Sequence, residues 1–297
     1  MGGIRMAIDK LQDKIRKLKN PSMLDFSMDT KKIPPHILLE ESNACAAYER
    51  FCRELLEALK TLIPAVRFSM SRCMLMGAAG LSVLERLTAY ASELGYYVLL
   101  DVPESLSREH AELNAEVLLQ NSCPYAFDGL LTTPYIGGDA IKPYTEFLKE
   151  KGKDLFVVLR TANKTASELQ DLLSGTRLVH MAAADIVNRQ SEKMVTRSGY
   201  SQVAVTAPAN VADVLKKLRA RYKHFFMLID GYDYANANAK NCSYGFDQLG
   251  HGAIVCANTG ILNAWNPDIS DGMDYVQCAI EAAERMKKNL LRYVTIL

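Results

Sequence analysis

Short, nearly continuous apolar runs alternate with longer amphipathic segments along the chain. The runs lie at residues 22–26, 66–70, 96–101, 129–132, 155–160, 202–206, 225–229 and 253–257. The amphipathic segments lie at 40–60, 80–94, 108–120, 140–150, 166–191, 210–222 and 271–293. Short apolar runs predict strands that are buried on both faces, and the segments between them predict helices that cover a parallel sheet.

This alternation predicts a single α/β domain over residues 1–297 with the fold of a (β/α)8 TIM barrel. An open, doubly wound sheet is the alternative, because it uses the same repeat. Such a sheet normally has a glycine-rich turn after its first strand, and the corresponding segment here, 25–30 (DFSMDT), contains no glycine. The pattern therefore favours the closed barrel.

Three further segments add to this outline. Apolar residues at spacings of three and four within residues 4–18 predict an extra amino-terminal helix in segment 1–20, which ends at Asn20-Pro21. Thr165 and Glu168 have the spacing of a capping box and predict a helix start. Residues 236–252 form a long polar loop after the seventh predicted strand, where loops of this fold often bind ligands.

Composition narrows the classes of partner. The formal net charge of +1 favours neither nucleic acid nor a membrane surface as partner, and no apolar segment is long enough to span a bilayer. The seven cysteines form no C-x-x-C pair, and the five histidines show no metal-ligand spacing. We therefore expect reduced thiols, no metal site and a cytoplasmic protein.

Candidate chemistry lies where the third predicted strand ends. Asp101 ends that run, and the carboxyl ends of the strands are where a barrel of this class places its active site. The segment that follows, 102–108 (VPESLSR), contains no lysine, and no lysine lies between Lys60 and Lys142. An equally good interpretation is structural, with Asp101 capping a helix that starts near Ser105.

Several segments together resemble orotidine 5'-phosphate decarboxylase of the longer bacterial class. They are 19–21 (KNP), Ile33-Pro34, the pair Gly77 and Gly80, 132–139 (TTPYIGGD) with Pro143, 160–163 (RTAN) and 168–170 (ELQ). No single segment is specific, but their order and spacing cover nearly the whole chain. The resemblance implies a (β/α)8 barrel that releases carbon dioxide from orotidine 5'-phosphate without a metal or an organic cofactor, by means of alternating lysines and aspartates.

On the first two strands, the family's catalytic positions carry other residue types here. The aspartate of strand one falls on Ser27, the lysine of strand two on Arg67, and the glutamine soon after it on Ser69. Arginine cannot replace a proton-donating lysine, because its pKa above about 12 keeps its proton bound.

On the third strand, only the first position of the family's motif is retained. The motif of an aspartate, a lysine two residues later and a second aspartate falls on Asp101, Pro103 and Leu106. Because no lysine lies anywhere nearby, no local shift of the alignment restores the proton donor. Asp101 is therefore the one retained catalytic position.

The family's phosphate contacts also differ here. The arginine of strand eight falls on Thr259, and the glycine-rich loop after strand seven becomes 230–235 (DGYDYA), which places two acids where a dianion would bind. The backbone N–H groups of 258–260 could still bind an anion at a helix start. The candidate ligand-binding residues are Arg67, Ser69, Thr132, Thr206, Asn258, Thr259 and Gly260.

These observations predict a catalytically degenerate homologue that binds a small molecule, a nucleotide or another phosphorylated ligand, or a partner, without a cofactor. The resemblance implies a homodimer. One alternative is an enzyme with a different reaction, in which Asp101, Glu104, Asp230 or Asp233 serve as acid and base. Another is an active decarboxylase that takes its lysine from a distant loop, such as Lys240.

Overall fold

The computed structural model describes residues 5–234, 236–266 and 268–297. Within these residues, eight parallel strands close into a barrel, and each strand pairs with its neighbours in chain order until β1 meets β8. The strands are β1 Ser22–Asp25, β2 Ala65–Ser69, β3 Tyr97–Asp101, β4 Gly129–Thr132, β5 Asp154–Val158, β6 Val203–Pro208, β7 Met227–Asp230 and β8 Ala253–Ala257. The predicted TIM-barrel fold is confirmed.

Helices cover the outside of the barrel. They are α1 Ala7–Leu18, α2 Pro35–Glu40, α3 Ala44–Leu59, α4 Met70–Met74, α5 Gly77–Glu93, α6 Arg108–Leu119, α7 Lys142–Lys151, α8 Val179–Ser191, α9 Ala212–Arg221, α10 Ala239–Ser243, α11 Thr259–Leu262 and α12 Tyr275–Leu291. The long loop 236–252 thus contains the short helix α10. Ile4, the first apolar position of the predicted amino-terminal helix, lies outside the described residues.

Helix α1 lies at the amino-terminal end of the barrel. Its apolar stripe of Ile8, Leu11 and Ile15 is fully buried. Gln12 on the same helix accepts a hydrogen bond of 3.0 Å from the N–H of Gly252, directly before β8. The helix therefore covers one end of the barrel, and the opposite end, where the strands finish, stays accessible.

Two helix predictions were wrong. Segment 166–191 is not one helix: a 3-10 turn at Lys164–Glu168 and a hairpin of Leu173–Ser174 with Arg177–Leu178 precede α8. Gly175 in this hairpin has a φ of +65°, a conformation that ends helices. The capping-box prediction fails for the same reason, since Thr165 lies inside the 3-10 turn and starts no α-helix.

The helix predicted at 40–60 is α3, which begins four residues later than predicted, at Ala44. Asn43 caps α3 by accepting a hydrogen bond of 3.0 Å from the N–H of Ala46. In the same way Ser107 caps α6 through the N–H of His110. Asp101 therefore does not cap the helix that follows it, which corrects the structural interpretation of that carboxylate.

Candidate ligand site at the barrel mouth

Arg67 lies at the centre of the mouth, on β2. Its Nη1 is 3.0 Å from Oδ2 of Asp230, its Nη2 is 3.3 Å from Oδ2 of Asp101, and its Nε is 3.8 Å from Oδ2 of Asp25. These carboxylates end β7, β3 and β1, so the cluster joins four strands. Strand register explains two of the contacts, because Arg67 pairs with Asp25 across β1 and β2, and Ser69 pairs with Asp101 across β2 and β3.

Burial and charge act in opposite directions on the acids of this cluster. Burial raises the pKa of Asp25, and the guanidinium of Arg67 lowers it in part. Burial also raises the pKa of Asp101, and Arg67 lowers it only in part, so this pKa stays above its ordinary value. The shared cation therefore stabilises the charged forms of Asp25 and Asp101 incompletely.

Arg67 itself keeps its proton. Burial would lower its pKa, but Asp25, Asp230 and Asp101 outweigh burial and hold that pKa well above its ordinary value. Its side chain is only 12% exposed. Arg67 therefore acts as a fixed positive charge whose hydrogen bonds are already directed at protein acids.

A cavity of about 560 Å³ opens beside this cluster. It is lined by Asp25, Ser27, Arg67, Asp230, Gly231, Asp233, Tyr234, Cys256, Ala257, Asn258 and Thr259. Three of these residues are acidic, and Arg67 is the one cation among them. The mouth therefore carries an excess of negative charge, which disfavours an anionic ligand.

The backbone N–H groups at the end of β8 already face a side-chain carboxylate of the protein. Oδ2 of Asp233 accepts a hydrogen bond of 2.5 Å from the N–H of Asn258. Oδ1 of the same carboxylate lies so close to Gly260 that a Cβ there would be 2.3 Å away. Burial raises the pKa of Asp233, while the N–H groups of Asn258 and Gly260 lower it. The N–H groups that sequence analysis assigned to an external anion thus face a carboxylate of the protein itself.

The structure brings together some of the sequence-predicted site residues. Arg67, Asn258 and Thr259 line the cavity, and Asp101 contacts Arg67. Gly260 follows them at the start of α11. Asn258 also donates from Nδ2 to the carbonyl oxygen of Asp25 at 2.7 Å, and this hydrogen bond joins β8 to β1.

Other predicted residues lie apart from the cavity. Ser69 is buried and caps α4 through the N–H of Arg72. Thr132 and Thr206 are buried in β4 and β6. Pro103 and Leu106 lie on the exposed segment between β3 and α6, where Leu106 is 76% exposed.

Sequence analysis missed Asp25 as a site residue. Asp25 and Ser27 are two residues apart, and this spacing places both side chains on one face of an extended chain. Both line the cavity, and the buried Oγ of Ser27 has no hydrogen-bond partner among the described residues. The two-residue spacing of Asp25 and Ser27 could have identified both as site residues. The contact of Asp25 with Arg67 depends on the register between the strands.

The described residues contain no group of three or more metal-ligating side chains placed to hold an ion. Within the same residues, no helix combines the length and the apolar character that crossing a membrane requires.

Comparison with known proteins gives relatives over the full length of the chain. No protein-family model matches it. The orotidine 5'-phosphate decarboxylase of Clostridium novyi is 25% identical over 288 residues, which are 97% of this chain and 99% of that protein. The protein of the same name from Rhodopirellula baltica is 26% identical over 259 residues, or 83% of this chain and 86% of the relative.

Solved structures show the same barrel. Leishmania donovani OMP decarboxylase has a TM-score of 0.73 and 18% identity, and the match covers 96% of this chain and 99% of that chain. The orotidine 5'-monophosphate decarboxylase of Plasmodium berghei also has a TM-score of 0.73, with 14% identity over 94% and 99% of the two chains. At these identities the solved structures show only that the fold is the same. The curated relatives show that the sequences also align along most of the chain. Along nearly its whole length this chain is therefore similar in sequence to proteins named orotidine 5'-phosphate decarboxylase, and it shares the barrel fold of the solved structures.

Proposed function

We propose that this chain is a family member that does not decarboxylate orotidine 5'-phosphate and that instead binds a small molecule without a phosphate at its barrel mouth. The observation that carries this proposal is the position of Arg67. It occupies the strand-two position that the resemblance assigns to a lysine, and its guanidinium is held by Asp25, Asp101 and Asp230.

The chemistry of decarboxylation explains why this matters. Loss of carbon dioxide from the pyrimidine ring leaves a carbanion whose charge does not delocalise, so a nearby cation must donate a proton. Arg67 cannot donate, because its neighbours hold its pKa well above the ordinary value. Pro103 stands where the resemblance places the second lysine. Lys240, the distant alternative, is exposed on α10 and is not among the residues that line the cavity.

The arrangement at the end of β8 argues against a phosphorylated ligand. The carboxylate of Asp233 lies at the N–H groups of Asn258 and Gly260, and a like charge within a few ångströms costs a phosphate about 1 kcal/mol or more. Thr259 supplies no positive charge. A nucleotide stays a prediction from the resemblance, but the charge of the mouth favours a neutral or cationic molecule.

The test is to incubate the purified protein with orotidine 5'-phosphate and follow the loss of absorbance, with calorimetric titration of uridine 5'-monophosphate in parallel. An active family decarboxylase serves as the positive control in both measurements. We expect no turnover above buffer and no saturable heat. Turnover at an enzyme-like rate would contradict the proposal.

A matched variant tests the reason for inactivity. Pro103→Lys combined with Leu106→Asp restores the two strand-three positions of the family motif. We expect no activity from this variant, because Arg67 and Asp233 still occupy the mouth. Activity in this variant would show that strand three alone causes the loss.

A second candidate function has support from the buried acids. Asp25, which lines the cavity, and Asp101, which contacts Arg67 beside it, have raised pKa values, as acid and base catalysts often have. These residues could serve an enzyme with a different reaction, together with Glu104, Asp230 or Asp233. The affinity of such an enzyme for its substrate would have a bell-shaped dependence on pH. Flat binding between pH 5 and pH 8 would exclude this candidate.

We also propose a homodimer and a cytoplasmic location. Large apolar side chains are exposed on loops after several barrel strands, among them Leu75, Leu106, Tyr135 and Leu173. Exposed apolar groups concentrated on one face are typical of a protein interface.

The cytoplasmic location is supported by the cysteines, all seven of which are free thiols.

A further inference from the structure

A second cavity lies beside the barrel, between the loops after β4 and β5 and the start of α8. Its volume is about 460 Å³, and it shares no lining residue with the cavity at the mouth. A volume of this size falls within the range that protein sites for small organic ligands have.

One wall of this cavity is a half-buried apolar face of α8. Val179, Ala182, Ala183 and Ile186 line the cavity at helical spacing. A different set of α8 residues, Met181, Ala184 and Val187, is buried. Helix α8 therefore carries apolar residues beyond its fully buried stripe, and of these Ala183 and Ile186 also pack partly against the core.

Hydrogen bonds hold the opposite wall in place. Arg160 makes a two-point contact with Asp171, at 3.0 and 2.8 Å. Oε1 of Gln170 accepts a hydrogen bond of 2.8 Å from the N–H of Thr161, and the carbonyl oxygen of Gln170 lies 2.8 Å from Nδ1 of the buried His180. The loop after β5 is thus connected both to the strand and to α8, and the cavity between them is preformed.

Polar groups at the edge of the cavity indicate which molecule would fit. Glu104, Thr133 and Gln170 line it. The side-chain oxygen of Gln170 accepts from Thr161, and no described residue accepts a hydrogen bond from its amide nitrogen. Glu104 is exposed and forms no ion pair with any described residue. The site therefore combines apolar walls with one uncompensated negative charge.

From this combination we propose that the cavity binds a small organic amine with an apolar ring. The ring lies between α8 and the end of β5, and the ammonium group lies at Glu104. This inference does not depend on the loss of decarboxylase activity, and apart from Glu104, which the alternative enzyme would also use, it concerns residues other than those of the barrel mouth. Failure of either proposal leaves the other intact, because one is tested by turnover of orotidine 5'-phosphate and the other by binding of an amine.

Three probes with the same ring test the chemical class by calorimetry on the full chain. Tryptamine is cationic, tryptophol is its neutral counterpart and indole-3-propionate is anionic. We expect tryptamine to bind about threefold more tightly than tryptophol, the size of effect that an exposed ion pair produces, and indole-3-propionate to bind least. In Glu104→Gln the difference between tryptamine and tryptophol should disappear, while tryptophol binds as before. Equal affinity for all three probes in the unmodified protein would overturn the proposal.

Two substitutions on α8 test the location. Ala183→Phe places a ring inside the cavity. We expect it to weaken the binding of both tryptamine and tryptophol by at least about tenfold, because the closely packed walls cannot move apart to make room for the ligand. Arg189→Phe adds the same ring at an exposed position of the same helix and should change neither affinity. Circular dichroism and thermal melting confirm that each variant is folded.

Two outcomes would overturn the location. If Asp230→Asn weakens tryptamine and Ala183→Phe does not, the amine binds in the acidic mouth. If no probe binds and Ala183→Phe changes the mass of the particle in light scattering, the cavity is covered by a second copy of the chain.

Discussion

At the scale of single residues, the mouth is organised by one cation and the acids around it. Arg67 contacts carboxylates that come from three other strands, and Asp25 among them is nine-tenths buried. A buried carboxylate without a partner is costly, so we expect the guanidinium to stabilise the fold as well as to set the charge of the cavity.

Arg67→Met should lower the free energy of unfolding at pH 7 by about 3 kcal/mol, because it leaves buried acids without their cation. The folded-state pKa of Asp25 and Asp101, already raised by burial, should rise further. A carboxyl group whose pKa is raised in the folded protein contributes stability below its unfolded-state pKa of about 4. This contribution is lost as the pH rises. The deficit should therefore be smaller at pH 5 than at pH 7, as measured by urea unfolding.

Arg67→Lys is the matched control for this prediction. It keeps the positive charge and should recover most of the stability that Arg67→Met loses. A loss below about 1 kcal/mol at both pH values in Arg67→Met would show that the cluster does not stabilise the fold.

At the scale of secondary structure elements, β3, β4 and β5 share a buried polar contact in the barrel interior. The hydroxyl group of Tyr97 on β3 donates a hydrogen bond of 2.8 Å to Oδ2 of Asp154 on β5. Gly129 on β4 lies between them, and a Cβ there would be 2.4 Å from the tyrosine oxygen. Glycine at this position is therefore required by the close approach of the ring, and a larger residue would separate the three strands.

Asp154→Asn should stabilise the protein at neutral pH. Asp154 is fully buried, and its Oδ1 has no hydrogen-bond partner among the described residues. Burial raises its pKa well above the ordinary value, although Tyr97 opposes this shift. Its contribution to stability is thus present below about pH 4 and falls as the pH rises from there toward the folded-state pKa. Asparagine still accepts from Tyr97 and carries no charge, so we expect a gain of about 1–3 kcal/mol at pH 7 and little change at pH 4.

Urea unfolding between pH 4 and pH 8 measures this difference. Asp213→Asn, on the exposed side of α9, is the control and should leave the pH profile unchanged. If Asp154→Asn and the unmodified protein have parallel profiles, Asp154 is ionised in the folded protein and the prediction is wrong.

At the scale of the whole molecule, the two ends of the barrel have different surfaces. Helix α1 covers the amino-terminal end, and apolar side chains project from loops at the carboxyl-terminal end. Leu106 and Leu173 are 76% and 71% exposed there. A second copy that covers these side chains would remove this apolar surface from water.

Leu106→Gln combined with Leu173→Gln should therefore convert the proposed dimer into a monomer. Light scattering after size-exclusion chromatography measures the mass. Leu249→Gln removes an exposed leucine that precedes β8, at the other end of the barrel, and should leave the dimer intact. A monomeric unmodified protein, or a dimer that survives the double substitution, would contradict the proposed interface.

The fold was predictable because its signals are local. Buried strands and amphipathic helices each show their own period within a few residues, and the eightfold repeat of the pair indicated a closed barrel. Segment 166–191 was misjudged because its apolar residues suit a helix, whereas the hairpin at 173–178 depends on Gly175 and on contacts with α8. Short non-helical insertions of this kind leave little trace in the periodicity.

The sequence by itself determined the barrel, the place of Asp101 at its mouth and the absence of a lysine on the third strand, since each depends only on residue type and local order. Tertiary structure decided that Arg67 is shared by Asp25, Asp101 and Asp230, and that Asp233 lies at the N–H groups after β8. Arg67 and Asp230 are 163 positions apart in the chain. Such contacts depend on strand register and on closure of the barrel, and these set distances that no local pattern of residues records.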